Sequence, residues 1–134
     1  MVLYCIEDFK IAYEKLIAKN SYKTLADETI TYFFGKSTPE LTSGTRLNHS
    51  EVSPYIKKRL GGRGGFRFYY LLLIQNDSLY LMFVHPKTGV FGADNITDGS
   101  KAQLYKKVLD CIEKKDFYRL SLDSKKEKIV FELV

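Results

Sequence analysis

The stretch from Pro54 to Gly89, PYIKKRLGGRGGFRFYYLLLIQNDSLYLMFVHPKTG, leaves the chain few folds to choose from. Tyr55 to Leu60 alternates in character, Phe66 to Ile74 is a long apolar and aromatic run, and Leu79 to His85 is a second one. Gln75-Asn76-Asp77-Ser78 is a polar turn between the two runs. Runs of this length, rich in aromatics and bounded by turn residues, predict strands. The glycine pairs Gly61-Gly62 and Gly64-Gly65 frame Arg63 and predict a loop with an arginine at its tip. The whole stretch therefore reads as one three-strand unit.

Ahead of it the period changes. Met1 to Ile6 alternates and predicts a short strand. Phe9, Ala12, Tyr13, Leu16 and Ile17 follow helical spacing, which predicts an amphipathic helix over 9–18 capped by Asp8. Asn20 and Ser21 break it. Leu25, Ala26, Thr29, Ile30, Phe33 and Phe34 form the apolar face of a second helix, which starts near Tyr22 and stops at Gly35. Residues 36–53 are polar, carry Pro39 and Gly44, and read as a loop with room for one helical turn. Past the unit, a third helix is predicted from Ser100 to Lys115, with Leu104, Val108, Leu109, Cys111 and Ile112 as its buried stripe. The segments YRLSL and KIVFEL flank Asp123-Ser124-Lys125-Lys126 and predict a terminal hairpin.

The 134 residues suit a single domain with one core. No run approaches the length of a membrane span. The opening MVLYCIEDFK carries acids by position 7 and lacks the basic, apolar and small-residue order of a signal peptide. Cys5 and Cys111 lie far apart within apolar patterns and read as two buried reduced thiols. These features point to the cytoplasm and to no membrane partner. The formal net charge of +5 permits a nucleic-acid partner without requiring one.

Strand alternation sorts the charges of the central unit. Tyr55, Lys57 and Arg59 share one side, and Ile56, Lys58 and Leu60 take the other, which is the better candidate for the core. Arg67 and Tyr69 share a side on the next strand. If the first side of each strand faces out, Lys57, Arg59, Arg67 and Tyr69 fall on one surface, with Arg63 over it and His85-Pro86-Lys87 beside it. Arginine forks onto phosphate oxygens and stays charged, lysine adds a compact charge, and histidine moves a proton near neutral pH. An exposed tyrosine stacks on an unpaired base. No Asp or Glu lies within these strands, and His49 and His85 have no ligand spacing, so no metal or other cofactor is expected. The chemistry that fits is attack by a ribose 2′-hydroxyl on the adjacent phosphate. The plain alternative is a solvated basic face, with His85 ending a strand and Tyr69 packing in the sheet.

Lys58-Arg59-Leu60-Gly61-Gly62-Arg63-Gly64-Gly65-Phe66-Arg67-Phe68-Tyr69-Tyr70, followed by Tyr80 to Lys87, resembles the core of RelE/ParE superfamily toxins, in particular the HigB/RelE-like branch. An N-terminal strand leading through Asp8-Phe9-Lys10 into two helices adds to the likeness, which covers about residues 1–112 and leaves an extension of about 113–134. The resemblance implies an α+β fold: a helical hairpin packed on a small antiparallel sheet, with a C-terminal helix and the terminal hairpin. It implies the toxin of a type II toxin-antitoxin system, a metal-independent endoribonuclease cleaving messenger RNA on the ribosome. A cognate antitoxin would neutralise it, and operator DNA would be bound only together with that antitoxin. Arg67 matches the family's strand arginine that holds the scissile phosphate, Lys57 and Arg59 its basic preceding strand, and Lys87 the basic residue after the last core strand. His85 stands two residues before Lys87, and Arg63, Lys58 and Tyr69 are the remaining candidates for RNA contact. Two other functions fit the same fold: a ParE-like inhibitor of DNA gyrase, and a non-catalytic RNA- or protein-binding module.

Overall fold

The computed structural model describes residues 1–62, 65–88 and 96–134. The order of elements is β1 (Val2–Cys5), α1 (Glu7–Ile17), α2 (Leu25–Phe33), α3 (Thr38–Leu41), β2 (Thr45–Arg46), β3 (Tyr55–Leu60), β4 (Phe66–Leu73), β5 (Ser78–Pro86), α4 (Asp98–Lys114), β6 (Tyr118–Leu122) and β7 (Ile129–Leu133). The strands form one sheet in the order β2-β3-β4-β5-β1-β6-β7. The class is α+β, as the sequence predicts. The sheet is neither small nor wholly antiparallel, however: among the described residues it has seven strands, and β1 runs parallel to β5 from Val2↔Ser78 to Cys5↔Leu81. No helix among the described residues is long and apolar enough to cross a membrane.

Helices cover both faces, which is why β4 and β5 read as near-continuous apolar runs rather than as alternating ones. On one face Phe9, Tyr13 and Leu16 of α1, Leu25 and Phe33 of α2 and Leu41 of α3 pack against Ile56, Phe68, Tyr70 and Leu72. On the other, Leu104, Val108 and Cys111 of α4 pack against Tyr55, Tyr69, Leu71 and Met82. Leu109, expected in the α4 stripe, is 44% exposed, because it lies off the helix face that turns Leu104, Val108, Cys111 and Ile112 toward the sheet. Cys5 and Cys111 are free, buried thiols.

Several local devices differ from expectation. Asp8 is not the cap of α1. The cap position is Ile6, without a side-chain bond, and Asp8 sits in the first turn, where a carboxylate favours the helix dipole. There it meets Lys107 of α4 at 2.6 Å. The polar stretch 36–53 holds the helical turn α3, closed by a Ser37/Glu40 capping box, and also β2, an edge strand of two residues too short to leave an alternation signal. Gly61 and Gly62 take left-handed backbone (φ 80° and 58°) to turn the chain out of β3. Residues 113–134 are no appendage: β6 pairs with β1 and buries Leu120 in the core, so the terminal hairpin completes the sheet.

Candidate functional site

The register of β3, β4 and β5 decides which charged side chains meet. Arg59 lies opposite Arg67, and Arg67 opposite His85. One step along, Lys57 lies opposite Tyr69, and Tyr69 opposite Phe83. Directly opposed residues share a face, so these six side chains form two adjacent rows on one side of the sheet. Strand parity thus brings together Lys57, Arg59, Arg67 and Tyr69 as the sequence predicts.

His85 reaches this face through an irregularity. Leu79 and Leu81 of β5 pack toward α1, and uninterrupted alternation would send His85 there too. Between Tyr69 and Tyr70 the register shifts: Tyr70 opposes Leu81 while Tyr69 opposes Phe83, leaving Met82 as the extra residue of a bulge. The bulge reverses the parity of the remaining β5 residues, and Phe83 and His85 arrive beside Tyr69 and Arg67.

The face is not open. It lies on the α4 side of the sheet, and Arg67 (3% exposed), His85 (6%), Lys57 (8%) and Tyr69 (0%) are all buried. Tyr69 therefore cannot stack on a base in this conformation, contrary to expectation. Its ring stacks instead on His85, with centroids 5.6 Å apart and planes at 24°. The Tyr69 hydroxyl lies 3.0 Å from His85 Nε2, and His85 Nδ1 lies 3.1 Å from the Pro86 carbonyl. A carbonyl only accepts, so Nδ1 carries the proton, and Nε2 accepts from the Tyr69 O–H. The Ile96 backbone N–H donates to the same hydroxyl at 3.5 Å. Burial pulls the His85 pKa below its ordinary value, and the charges of Arg67 and Lys57 pull the same way against the opposing Pro86 bond. Burial also raises the Tyr69 pKa, so the pair is neutral near pH 7.

Arg67 is the unusual member. Its Nε and Nη1 atoms are buried and have no hydrogen-bond partner among the described residues. Guanidinium stays charged under all ordinary conditions, and a buried donor without a partner is costly. These donors call for an acceptor, and their arrangement in a fork suits a carboxylate or a phosphate.

The other predicted residues are dispersed. Lys58 lies on the α2 face, with Nζ donating to Ser43 Oγ at 3.2 Å and standing 5.4 Å from the Tyr32 ring centre. Alternation on β3 separates it from Lys57 and Arg59, so it is not part of this cluster. Arg59 is exposed at the rim, as is Lys87, whose backbone N–H donates to the Gly65 carbonyl at 2.9 Å. Arg63 lies outside the described residues. No group of three or more His, Cys, Asp or Glu side chains is placed to hold a metal among the described residues. Sequence reasoning missed the Tyr69–His85 link and a groove of about 560 Å³ that His85 and Pro86 share with Ile11, Ala12 and Leu16 of α1. Strand β1 ends at Cys5, and the chain turns into α1 there, which leaves the groove beside the last residues of β5.

No protein-family model matches the chain. No curated protein matches it either.

Proposed function

We propose that this chain is a RelE/ParE-like toxin of a type II toxin-antitoxin pair, a metal-independent endoribonuclease that cuts messenger RNA on the ribosome in the cytoplasm. The single observation that carries the reading is Arg67: a buried guanidinium with two nitrogens that have no hydrogen-bond partner among the described residues, flanked in register by Arg59 and His85 and diagonally by Lys57. The charge asks for an anion, and the sequence around it, Gly64-Gly65-Phe66-Arg67, is the stretch that resembles the family.

In this reading the 2′-hydroxyl gives up its proton to water as its oxygen attacks the adjacent phosphorus, and the P–O5′ bond breaks with the 5′-oxygen taking a proton from water. The products are a 2′,3′-cyclic phosphate and a 5′-hydroxyl end. Arg67 and Lys57 hold the phosphoryl oxygens and offset the negative charge that grows on them, while Arg59 and Lys87 at the rim draw the backbone in. His85 serves Arg67 as a neutral neighbour. Its two ring nitrogens are engaged by Tyr69 and Pro86, so it fits the proton-transfer role less well than the charge-stabilising residues fit theirs. The partner that neutralises the toxin is its cognate antitoxin, and operator DNA is bound only through it. One observation favours a second reading, a non-catalytic binding module of the same fold: the burial of Lys57, Arg67 and Tyr69.

Induction in a bacterial host separates the two. Wild type should halt growth, with new RNA 5′ ends inside coding regions, while Arg67→Ala and the volume-matched Arg67→Met do neither. Normal growth on soluble wild-type protein favours the binding module. Arrest by a folded Arg67→Met protein removes Arg67 from the chemistry, and arrest with intact RNA redirects attention to DNA gyrase.

A further inference from the structure

Strand β7 ends the sheet and pairs with β6 alone among the described strands. The hydrogen bonds to its neighbour fix which backbone groups point away. The Lys128 carbonyl accepts from the Asp123 N–H at 3.0 Å, and the Val134 N–H donates to the Phe117 carbonyl at 3.1 Å. Even-numbered residues therefore face β6, and the N–H and C=O groups of Ile129, Phe131 and Leu133 face outward. Protein sheets usually blunt such an edge with a bulge, a proline or an inward-pointing charge. This edge has none of these three, and its charges are the exposed Lys128 and Glu132. Its register is unbroken from Tyr118↔Leu133 to Leu122↔Ile129, it contains no proline, and Val130 and Leu133 are 44% and 65% exposed.

We propose that β7 is a dimerisation edge whose occupant is β7 of a second copy of this chain, antiparallel and centred on Val130. The charge pattern selects both the partner and the register. Of the two-fold registers centred on a β7 residue, the one on Val130 alone sets Lys128 opposite Glu132, and symmetry makes that pair twice. The register centred on Glu132 would oppose two carboxylates. Opposite charges directly across an antiparallel pair stabilise it and like charges destabilise it. In the Val130 register Ile129 faces Phe131 of the second copy, both with outward backbone groups, and Val130 faces its own copy. Glu132 already lies opposite Arg119 on β6, so each carboxylate would sit between two cations. The interface is isologous and closes as a dimer, joining two sheets end to end. The opposite edge, β2, has only two residues and offers no equivalent template. Strands β1 and β6 separate this edge from the cationic rows, so the dimer is independent of the ribonuclease reading.

Sedimentation velocity over a wide concentration range, with hydrogen exchange on the same samples, tests it. Wild type should form a reversible dimer, with the amides of Ile129, Phe131 and Leu133 gaining protection as concentration rises. Lys128→Glu and Glu132→Lys should each weaken dimerisation by on the order of tenfold or more, and the double reversal should dimerise more tightly than either single reversal, short of wild type because position 132 also faces Arg119 and position 128 faces Asp123. Both side chains are exposed, so the variants leave the core intact, and the double variant reports on any that do not. A wild type that stays monomeric throughout, or a dimer indifferent to both single reversals, overturns the proposal.

Discussion

At the scale of single residues the site is a contest between burial and charge. His85 is neutral because burial opposes its charging and because Arg67 and Lys57 repel a further proton. Its folded pKa lies below the unfolded value of about 6.5, so the unfolded chain takes up the proton more readily. The contribution of His85 to stability is therefore full above about pH 6.5 and falls as the solution is acidified through that value toward the folded pKa. Urea unfolding from pH 7.5 to 5 should show this loss, and His85→Gln should flatten the slope between pH 7 and 5. An unchanged slope in the variant would mean that other groups set the acid response. The cationic residues themselves were legible in the sequence, because alternation alone puts Lys57, Arg59, Arg67 and Tyr69 on one face. Their burial was not legible, since nothing in a strand's pattern says that α4 covers that side. Nor was the Tyr69–His85 bond: it depends on the bulge at Met82, which reverses the facing of His85 and has no local sequence mark.

At the scale of elements, β3, β4 and β5 were readable because apolar runs, polar turns and glycine pairs punctuate them. Strand β2 was unreadable because two residues carry no period. The terminal hairpin was visible as a pair of strands, but its place was not, since pairing partners far apart in sequence leave no local trace. That place has consequences. Strand β6 sits against β1, and Leu120 is 4% exposed within the core shared with α1 and α2. Leu120→Ala should lower the free energy of unfolding by about 2–5 kcal/mol, the usual range for a truncated buried leucine. Chemical denaturation measures it directly. A loss under about 0.5 kcal/mol, typical of surface positions, would show the hairpin to be a detachable extension.

At the scale of the whole molecule, a sheet of seven strands among the described residues, clad by helices on both faces, holds Lys57 and Arg67 inside rather than on the surface. The proposed chemistry then requires that the α4 side open enough for a phosphate to reach Arg67. The most direct measurement is the Nε–H resonance of Arg67 during titration with a short RNA oligonucleotide whose 2′-hydroxyls are replaced by hydrogen, so that it binds without being cut. The resonance should shift with saturation, added salt should weaken the binding, and Arg67→Met should abolish it. An unshifted resonance, or binding that Arg67→Met leaves intact, would contradict the assignment of Arg67 as the phosphate-holding residue.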